Sequence, residues 1–112
     1  MSSITISSED ELRARLATDG PHWLFKHSNA CGISSAAFAE YEQHLQEHGD
    51  QPAAHLIIQN SRPLSNLTAQ LLGRVHQSPQ VFLLRGDQVL WTATHWSITA
   101  PALAAAWNDH AP

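Results

Sequence analysis

The ten residues Phe25-Lys26-His27-Ser28-Asn29-Ala30-Cys31-Gly32-Ile33-Ser34 decide the fold. They join a short apolar run, residues 23–26, to the start of a helix that we expect to continue to about His48. Such a run is typical of a strand that is buried on both faces. The single cysteine of the chain therefore lies where a strand gives way to a helix.

The segments on either side complete a small α/β pattern. A second apolar run at residues 55–58 follows the helix, so the two strands should pair in parallel with a right-handed crossover. The other predicted elements are a helix opened by Ser8, a helix from Pro63 to Gly73, a hairpin of residues 81–84 and 89–92, and a last helix capped by Thr99. We predict a single domain over residues 1–112 with a central mixed four-stranded sheet. Helices flank this sheet in the order extra N-terminal helix, then β-α-β-α-β-β-α.

Composition narrows the classes of function. The chain has 112 residues, of which 43% are hydrophobic and 14% charged, and this length is enough for a core without disulfide or metal support. Its net charge of −4 argues against a nucleic-acid or anionic-membrane partner. No apolar run approaches the roughly 20 residues of a membrane span, and residues 1–10 are polar and acidic, unlike a signal peptide. We expect a cytoplasmic protein, and nothing in the sequence requires more than a monomer.

The one cysteine excludes an internal disulfide, a cysteine-rich zinc site and a Cys-x-x-Cys couple. Its position favours a reactive thiol, because the N–H groups and the dipole of a helix N-terminus stabilise a thiolate. Ser34 follows three residues later on the same helical face, where its hydroxyl can donate a hydrogen bond to the sulfur. Lys26 can add positive charge near the sulfur. The more usual alternative is that its head group extends into solvent.

The predicted topology brings further residues to the same end of the sheet. If strand 81–84 runs antiparallel to strand 23–26, Pro79 begins beside Cys31, and the returning hairpin strand carries His95 and Trp96 towards the sulfur. We predict a cis Ser78-Pro79 bond, which would expose the neighbouring backbone to a bound substrate.

At this point a family resemblance becomes specific. Residues 25–34, 60–66, 76–81 and 95–99 resemble, in order, segments of the YtxJ-like bacillithiol-system proteins, which are the monothiol bacilliredoxins. With the elements between them they cover roughly residues 5 to 108. The resemblance implies a thioredoxin-like fold and a cytoplasmic thiol-disulfide oxidoreductase that removes bacillithiol from protein mixed disulfides. In that reading Cys31 is the nucleophile, Ser34 stands where a dithiol relative has its resolving cysteine, and Pro79 is the cis proline.

The sequence departs from the family at the cysteine itself. The family segment is usually Thr-Cys-Pro-Ile-Ser, whereas this chain has Ala30-Cys31-Gly32-Ile33-Ser34. Glycine in place of proline leaves the helix start less rigid and adds one backbone N–H near the sulfur. We expect this change to affect the thiol or its choice of substrate.

The candidate site residues follow from these observations. Cys31 and Ser34 are the candidate catalytic residues, and the candidate substrate-binding residues are Lys26, His27, Gly32, Ser78, Pro79, His95 and Trp96. No bound cofactor or metal is expected, and bacillithiol or another low-molecular-weight thiol is the co-substrate. Because serine cannot form a disulfide, the expected partners are S-thiolated client proteins and a regenerating thiol or reductase.

Three other interpretations remain open on the sequence alone. The protein can be a non-catalytic thioredoxin-like module that binds peptides, or a redox sensor whose single cysteine is modified without turnover. His27, Cys31 and His95 can also supply three zinc ligands, with water as the fourth, although their spacing matches no metal motif.

Overall fold

A five-stranded mixed sheet forms the centre of the structure, a computed structural model that describes residues 3–112. The strand order is β1-β3-β2-β4-β5. The strands are β1 (Ile4–Thr5), β2 (Pro21–His27), β3 (Ala53–Ile57), β4 (Gln80–Arg85) and β5 (Gln88–Thr94). β3 pairs in parallel with β1 and β2, whereas β4 is antiparallel to both β2 and β5.

Within residues 3–112, four helices cover the two faces of this sheet. They are α1 (Glu9–Leu16), α2 (Gly32–Glu47), α3 (Arg62–Leu72) and α4 (Ala100–His110), and a single 3-10 turn, His95–Ser97, precedes α4. Buried leucines of α1 and α3 pack in one cluster with Leu24 and Leu56, and side chains of α2 and α4 pack in a second cluster with Trp23 and Phe25. Successive residues of β2 therefore face opposite layers of the fold.

The residues predicted from the sequence to begin and end helices do so in the structure. Ser8 accepts a hydrogen bond from Glu11 N–H and caps α1, and Thr99 accepts one from Ala102 N–H and caps α4. Gly73 ends α3 with a φ of 66°, in the left-handed region that glycine adopts without strain.

The predicted mixed sheet is confirmed, but its strand number is wrong by one. The added strand β1 has only two residues, which is too short for any alternation of apolar and polar side chains to show in the sequence. It adds to the edge of β3, and the buried Ile6 that follows it belongs to the α1–α3 cluster. Met1 and Ser2, which belong to the predicted domain of residues 1–112, lie outside the described residues.

The sheet topology brings the candidate residues to one end of the molecule. β2 ends at His27, just before Cys31, and its Lys26 pairs with Gln80, the first residue of β4 after Pro79. β5 returns from the hairpin to the same end and leads into His95. Within the part of the chain that the structure describes, no helix is long and apolar enough to cross a membrane.

Candidate thiol site

Cys31 is the N-cap residue of α2. Its backbone is extended (φ −122°, ψ 125°), its carbonyl accepts the hydrogen bond from Ser35 N–H at 3.0 Å, and its thiol is free and partly exposed. The first turn of α2 contains no acidic residue. A thiolate at this position is stabilised by the helix dipole and is not opposed by a carboxylate of that turn.

Gly32 is the first residue of α2 and is exposed. A Cβ atom built on it meets no heavy atom within 4 Å, so the local packing does not require glycine. The backbone N–H of a first helical residue has no partner within the helix, and here it lies next to the cysteine.

Ser34 is fully buried, and its hydroxyl points to the loop between β2 and α2. Ser28 N–H donates to Ser34 Oγ at 2.8 Å, and Nδ1 of His27 lies 2.9 Å from the same oxygen. Among the hydrogen bonds of residues 3–112, none joins Ser34 Oγ to the sulfur of Cys31. The predicted hydrogen bond to the sulfur is therefore replaced by two contacts that shape the loop.

The ring of His27 is held on two sides. It stacks on Phe38 with centroids 4.5 Å apart, and its Nδ1 meets the Ser34 hydroxyl. Burial lowers the pKa of His27 below its usual range, which favours the neutral ring. The Nδ1 atom of a neutral His27 can accept a hydrogen bond from the Ser34 hydroxyl. The oxygen of that hydroxyl in turn accepts a hydrogen bond from Ser28 N–H.

Lys26 does not extend into solvent. Its side chain is 0% exposed, and its Nζ lies 3.2 Å from Nδ1 of His76, which is also 3.1 Å from Ser65 Oγ. Burial lowers the pKa of Lys26 to about 8. The expectation of a solvent-exposed head group is therefore wrong. The reason is that Lys26 points into the layer of α1 and α3, where the partly buried His76 lies within hydrogen-bond distance of its ammonium group.

Gln59 connects the loop between β2 and α2, residues 28–31, to the segment that precedes α3. Its Oε1 accepts the Asn29 N–H at 3.1 Å, and its Nε2 donates to Ser28 Oγ at 2.7 Å. The sequence predicts no role in the site for Gln59 or His76. A single glutamine in a loop has no sequence pattern that indicates its contacts. The only indication is that the parallel strands β2 and β3 end at the same edge, which brings the loops that follow them close together.

The other predicted residues also gather at this edge. The Ser78-Pro79 bond is cis, as predicted, and the carbonyl of Pro79 accepts a hydrogen bond from His95 N–H at 3.1 Å. Ser78 Oγ is buried without a hydrogen-bond partner among the described residues. His95 has a φ of 53°, which is uncommon for a residue with a side chain.

Trp96 is 70% exposed beside a shallow groove between α2 and the start of α4. The groove has a volume of about 250 Å³, and its lining residues are Ala36, Ala37, Glu40, His95, Trp96, Ile98 and Thr99. The half-buried Trp107 of α4, in contrast, packs against the cluster that contains Trp23 and Phe25.

The histidines do not form a metal centre with the cysteine. Within residues 3–112, no group of three His, Cys, Asp or Glu side chains is placed to hold a metal ion. His27, one of the three ligands considered, directs Nδ1 to Ser34.

Comparisons with known proteins agree with this geometry. The family model for the monothiol bacilliredoxin BrxC matches residues 4–103. A solved structure described as a candidate oxidoreductase with a thioredoxin fold is 30% identical, with a TM-score of 0.87 over 94% of this chain and 93% of that one. Thioredoxin of Malassezia sympodialis is 18% identical, with a TM-score of 0.77 over 100% of this chain and 94% of its own, and shares the fold. Thioredoxin of Trypanosoma brucei brucei gives the same identity and TM-score over 96% and 89%. The chain therefore has the thioredoxin-like fold and belongs to the monothiol bacilliredoxin family of thiol oxidoreductases.

Proposed function

We propose that this protein removes bacillithiol, or a similar low-molecular-weight thiol, from mixed disulfides of client proteins. The observation that carries the proposal is the single free cysteine at the N-cap of α2, with a buried serine at the position of a resolving cysteine. Family membership supports thiol oxidoreductase chemistry at the same residue. We place the reaction in the cytoplasm, with the protein acting as one domain and a monomer.

The reaction is two successive thiol–disulfide exchanges. The Cys31 thiolate attacks the sulfur of the small thiol, and a bond forms between these two sulfurs as the bond to the client breaks. The client sulfur leaves with the electron pair as a thiolate and takes up a proton from water. An external thiolate then attacks the small thiol on Cys31, so that Cys31 leaves as a thiolate and a new small disulfide carries away the oxidising equivalents.

Three features of the site support these steps. The helix N-terminus stabilises both the attacking and the departing Cys31 thiolate. The loop that carries Cys31 is held by Ser34 and Gln59. Trp96 is exposed and the cis Ser78-Pro79 bond lies at the same end of the sheet, so we assign contact with the client to these residues.

The test begins with oxidised bacillithiol and the purified protein. Intact-mass analysis should give one adduct per chain, and peptide mapping should place it on Cys31. Cys31→Ser should give none. Wild-type protein that stays unmodified would contradict the proposal.

The second measurement separates an enzyme from a sensor. A client protein that carries bacillithiol is supplied in large excess, together with a regenerating thiol, and released client thiol is counted per protein molecule. We expect many turnovers with the regenerating thiol and one without it. A single release under both conditions indicates a sensor. Binding of client without any release indicates a peptide-binding module.

A further inference from the structure

The single proton of the buried Ser34 hydroxyl is held by His27. Ser34 is 0% exposed, so its hydroxyl does not reach water, and its oxygen already accepts the Ser28 N–H at 2.8 Å. The hydroxyl proton needs an acceptor as well, because a buried donor without one is costly. Among the hydrogen bonds of residues 3–112, the only acceptor that this hydroxyl meets is Nδ1 of His27, 2.9 Å away. Ser34 therefore donates to His27.

This hydrogen bond determines which nitrogen of His27 carries the proton of the ring. A ring nitrogen that accepts a hydrogen bond has no proton, so the proton of the neutral ring is on Nε2. The stack on Phe38, with centroids 4.5 Å apart, holds the ring in the orientation that this contact needs. Burial lowers the pKa of His27, which agrees with a neutral ring. A second proton can be added only at Nδ1, where it removes the acceptor of Ser34.

Protonation of His27 reverses the hydrogen bond to Ser34. The Nδ1–H group then donates to the Ser34 oxygen, which still accepts from Ser28 N–H, so the hydroxyl proton must turn to another acceptor. Cys31 is the N-cap residue of α2, and Ser34 is the third residue of the helix. A side chain at this third position can reach back to the N-cap residue. The acceptor within reach is the Cys31 sulfur, which accepts most strongly as a thiolate.

The titratable side chains that adjoin His27 come from β2, α2 and β3. Lys26 is its neighbour in β2 but points into the opposite layer, where its Nζ contacts His76. Tyr41 of α2 and His55 of β3 contact the same phenyl ring as His27. Burial raises the pKa of Tyr41 and lowers the pKa of His55, so both side chains are uncharged near neutral pH. The loop before α2 and the first two turns of α2 contain no aspartate or glutamate.

We propose that His27 is a positioning residue for the thiol chemistry: the neutral ring withholds the Ser34 hydroxyl from Cys31, and the protonated ring releases it to the Cys31 thiolate. As Cys31 leaves a disulfide with the electron pair, Nδ1 of His27 takes up a proton from water, and the Ser34 hydroxyl turns to the sulfur without losing its own proton. The inference rests on the proposed function in that Cys31 must act as a thiolate. It adds a residue that sets how strongly this thiolate is stabilised.

The first experiment compares two substitutions of the same residue. His27→Asn keeps an acceptor close to the position of Nδ1 but cannot take up a proton, whereas His27→Leu removes the acceptor. The ratio of thiolate to thiol is measured by ultraviolet absorbance over a range of pH, with Cys31→Ser as the blank, and circular dichroism checks the fold of each variant. His110→Leu is the control, because it removes an exposed imidazole from the last turn of α4.

The expected result has an unusual sign. At neutral pH the thiolate-to-thiol ratio should be about tenfold higher in His27→Leu than in His27→Asn, because the Ser34 hydroxyl is then free to make one charge-assisted hydrogen bond to the sulfur. His110→Leu should match the wild type. A histidine that acted only through its own positive charge would give no such gain. Equal ratios in His27→Leu and His27→Asn would contradict the inference.

The second measurement uses the wild type, so it does not depend on the folding of a variant. Methyl methanethiosulfonate converts Cys31 to a neutral methyl disulfide, and the pH at which each imidazole is protonated is followed by NMR. His27 should be protonated at higher pH in the reduced protein than in the blocked protein, because only a thiolate accepts the released hydroxyl strongly. His110 should titrate identically in both. An unchanged titration of His27 would overturn the proposal.

Two further outcomes separate the explanations. Ser34→Ala should abolish the difference between the His27 titrations of reduced and blocked protein, whereas direct attraction between ring and thiolate would preserve it and contradict the role of the hydroxyl. A protein that responds to His27 as expected but forms no adduct with oxidised bacillithiol contradicts the proposed function alone. A protein that forms the adduct but gives equal thiolate ratios in His27→Leu and His27→Asn contradicts only the role of His27.

Discussion

Lys26 Nζ lies 3.2 Å from Nδ1 of His76, and no carboxylate among the described residues forms an ion pair with this ammonium group. Burial lowers the pKa of Lys26 from 10.5 to about 8, so the unfolded chain holds this proton more tightly than the folded one. Between these two pKa values the free energy of unfolding should rise with pH by about 1.4 kcal/mol per unit, and below pH 8 the full penalty is present.

Lys26→Met tests this relationship by removing the charge at similar volume. The variant should be more stable than the wild type at neutral pH. Its free energy of unfolding should not show the rise that the wild type shows above pH 8. Urea unfolding at a series of pH values measures both. Arg74→Met, which removes an exposed charge, serves as control and should retain the wild-type slope. Parallel pH profiles of the wild type and Lys26→Met would contradict the buried position.

The second prediction concerns Gly32. Open space around its missing Cβ and its place at the first helical position should allow proline, which fixes the helix start and stabilises the fold by about 0.5 kcal/mol. Proline also removes the N–H beside Cys31, so Gly32→Pro should react more slowly with a neutral disulfide. Gly32→Ala keeps that N–H and is the matched comparison. Equal rates for the two variants would show that the N–H does not assist the thiolate.

The third prediction concerns the buried hydroxyl of Ser34. Ser34→Ala leaves Ser28 N–H without its acceptor and should lower the free energy of unfolding by about 2 kcal/mol. Ser35→Ala, an exposed change in the next residue of the helix, should remain within about 0.5 kcal/mol of the wild type. Chemical denaturation of both variants provides the measurement. A Ser34→Ala protein as stable as Ser35→Ala would mean that the loop does not depend on this hydroxyl.

The fourth prediction separates client contact from thiol chemistry. Because Trp96 is 70% exposed, Trp96→Ala should leave stability unchanged and should leave the reaction with a neutral small disulfide unchanged. Its reaction with a protein mixed disulfide should slow about tenfold, as is typical for loss of a contact worth about 1.4 kcal/mol. Ile4→Ala truncates an exposed apolar side chain on β1, at the far edge of the sheet, and should affect neither substrate. Equal slowing of both substrates would assign Trp96 to the chemistry itself.

The sequence predicts most of the architecture because its signals are local. Ser8 and Thr99 cap helices through contacts three residues away, and Gly73 ends α3 through its own backbone conformation. Cys31 could be placed at a helix N-terminus for the same reason, since the apolar run and the helical period meet there.

The environment of the site depends on contacts that are distant in the chain. Lys26 is buried because His76, fifty residues later, supplies its partner. The Cys-x-x-Ser spacing places Ser34 near Cys31, but the choice between the sulfur and Ser28 N–H depends on the path of the loop, which Gln59 helps to hold from another segment. Neither contact has a local sequence signature.

The difference in burial among the four tryptophans gives the molecule an optical signal of its own. Trp23 is fully buried and Trp91 and Trp107 are partly buried, so Trp96 is the indole in widest contact with water. Its fluorescence emission should lie at longer wavelength than that of the others, and a client that covers it should shift the emission to the blue. Docking can then be followed without any label, separately from the chemistry at the sulfur.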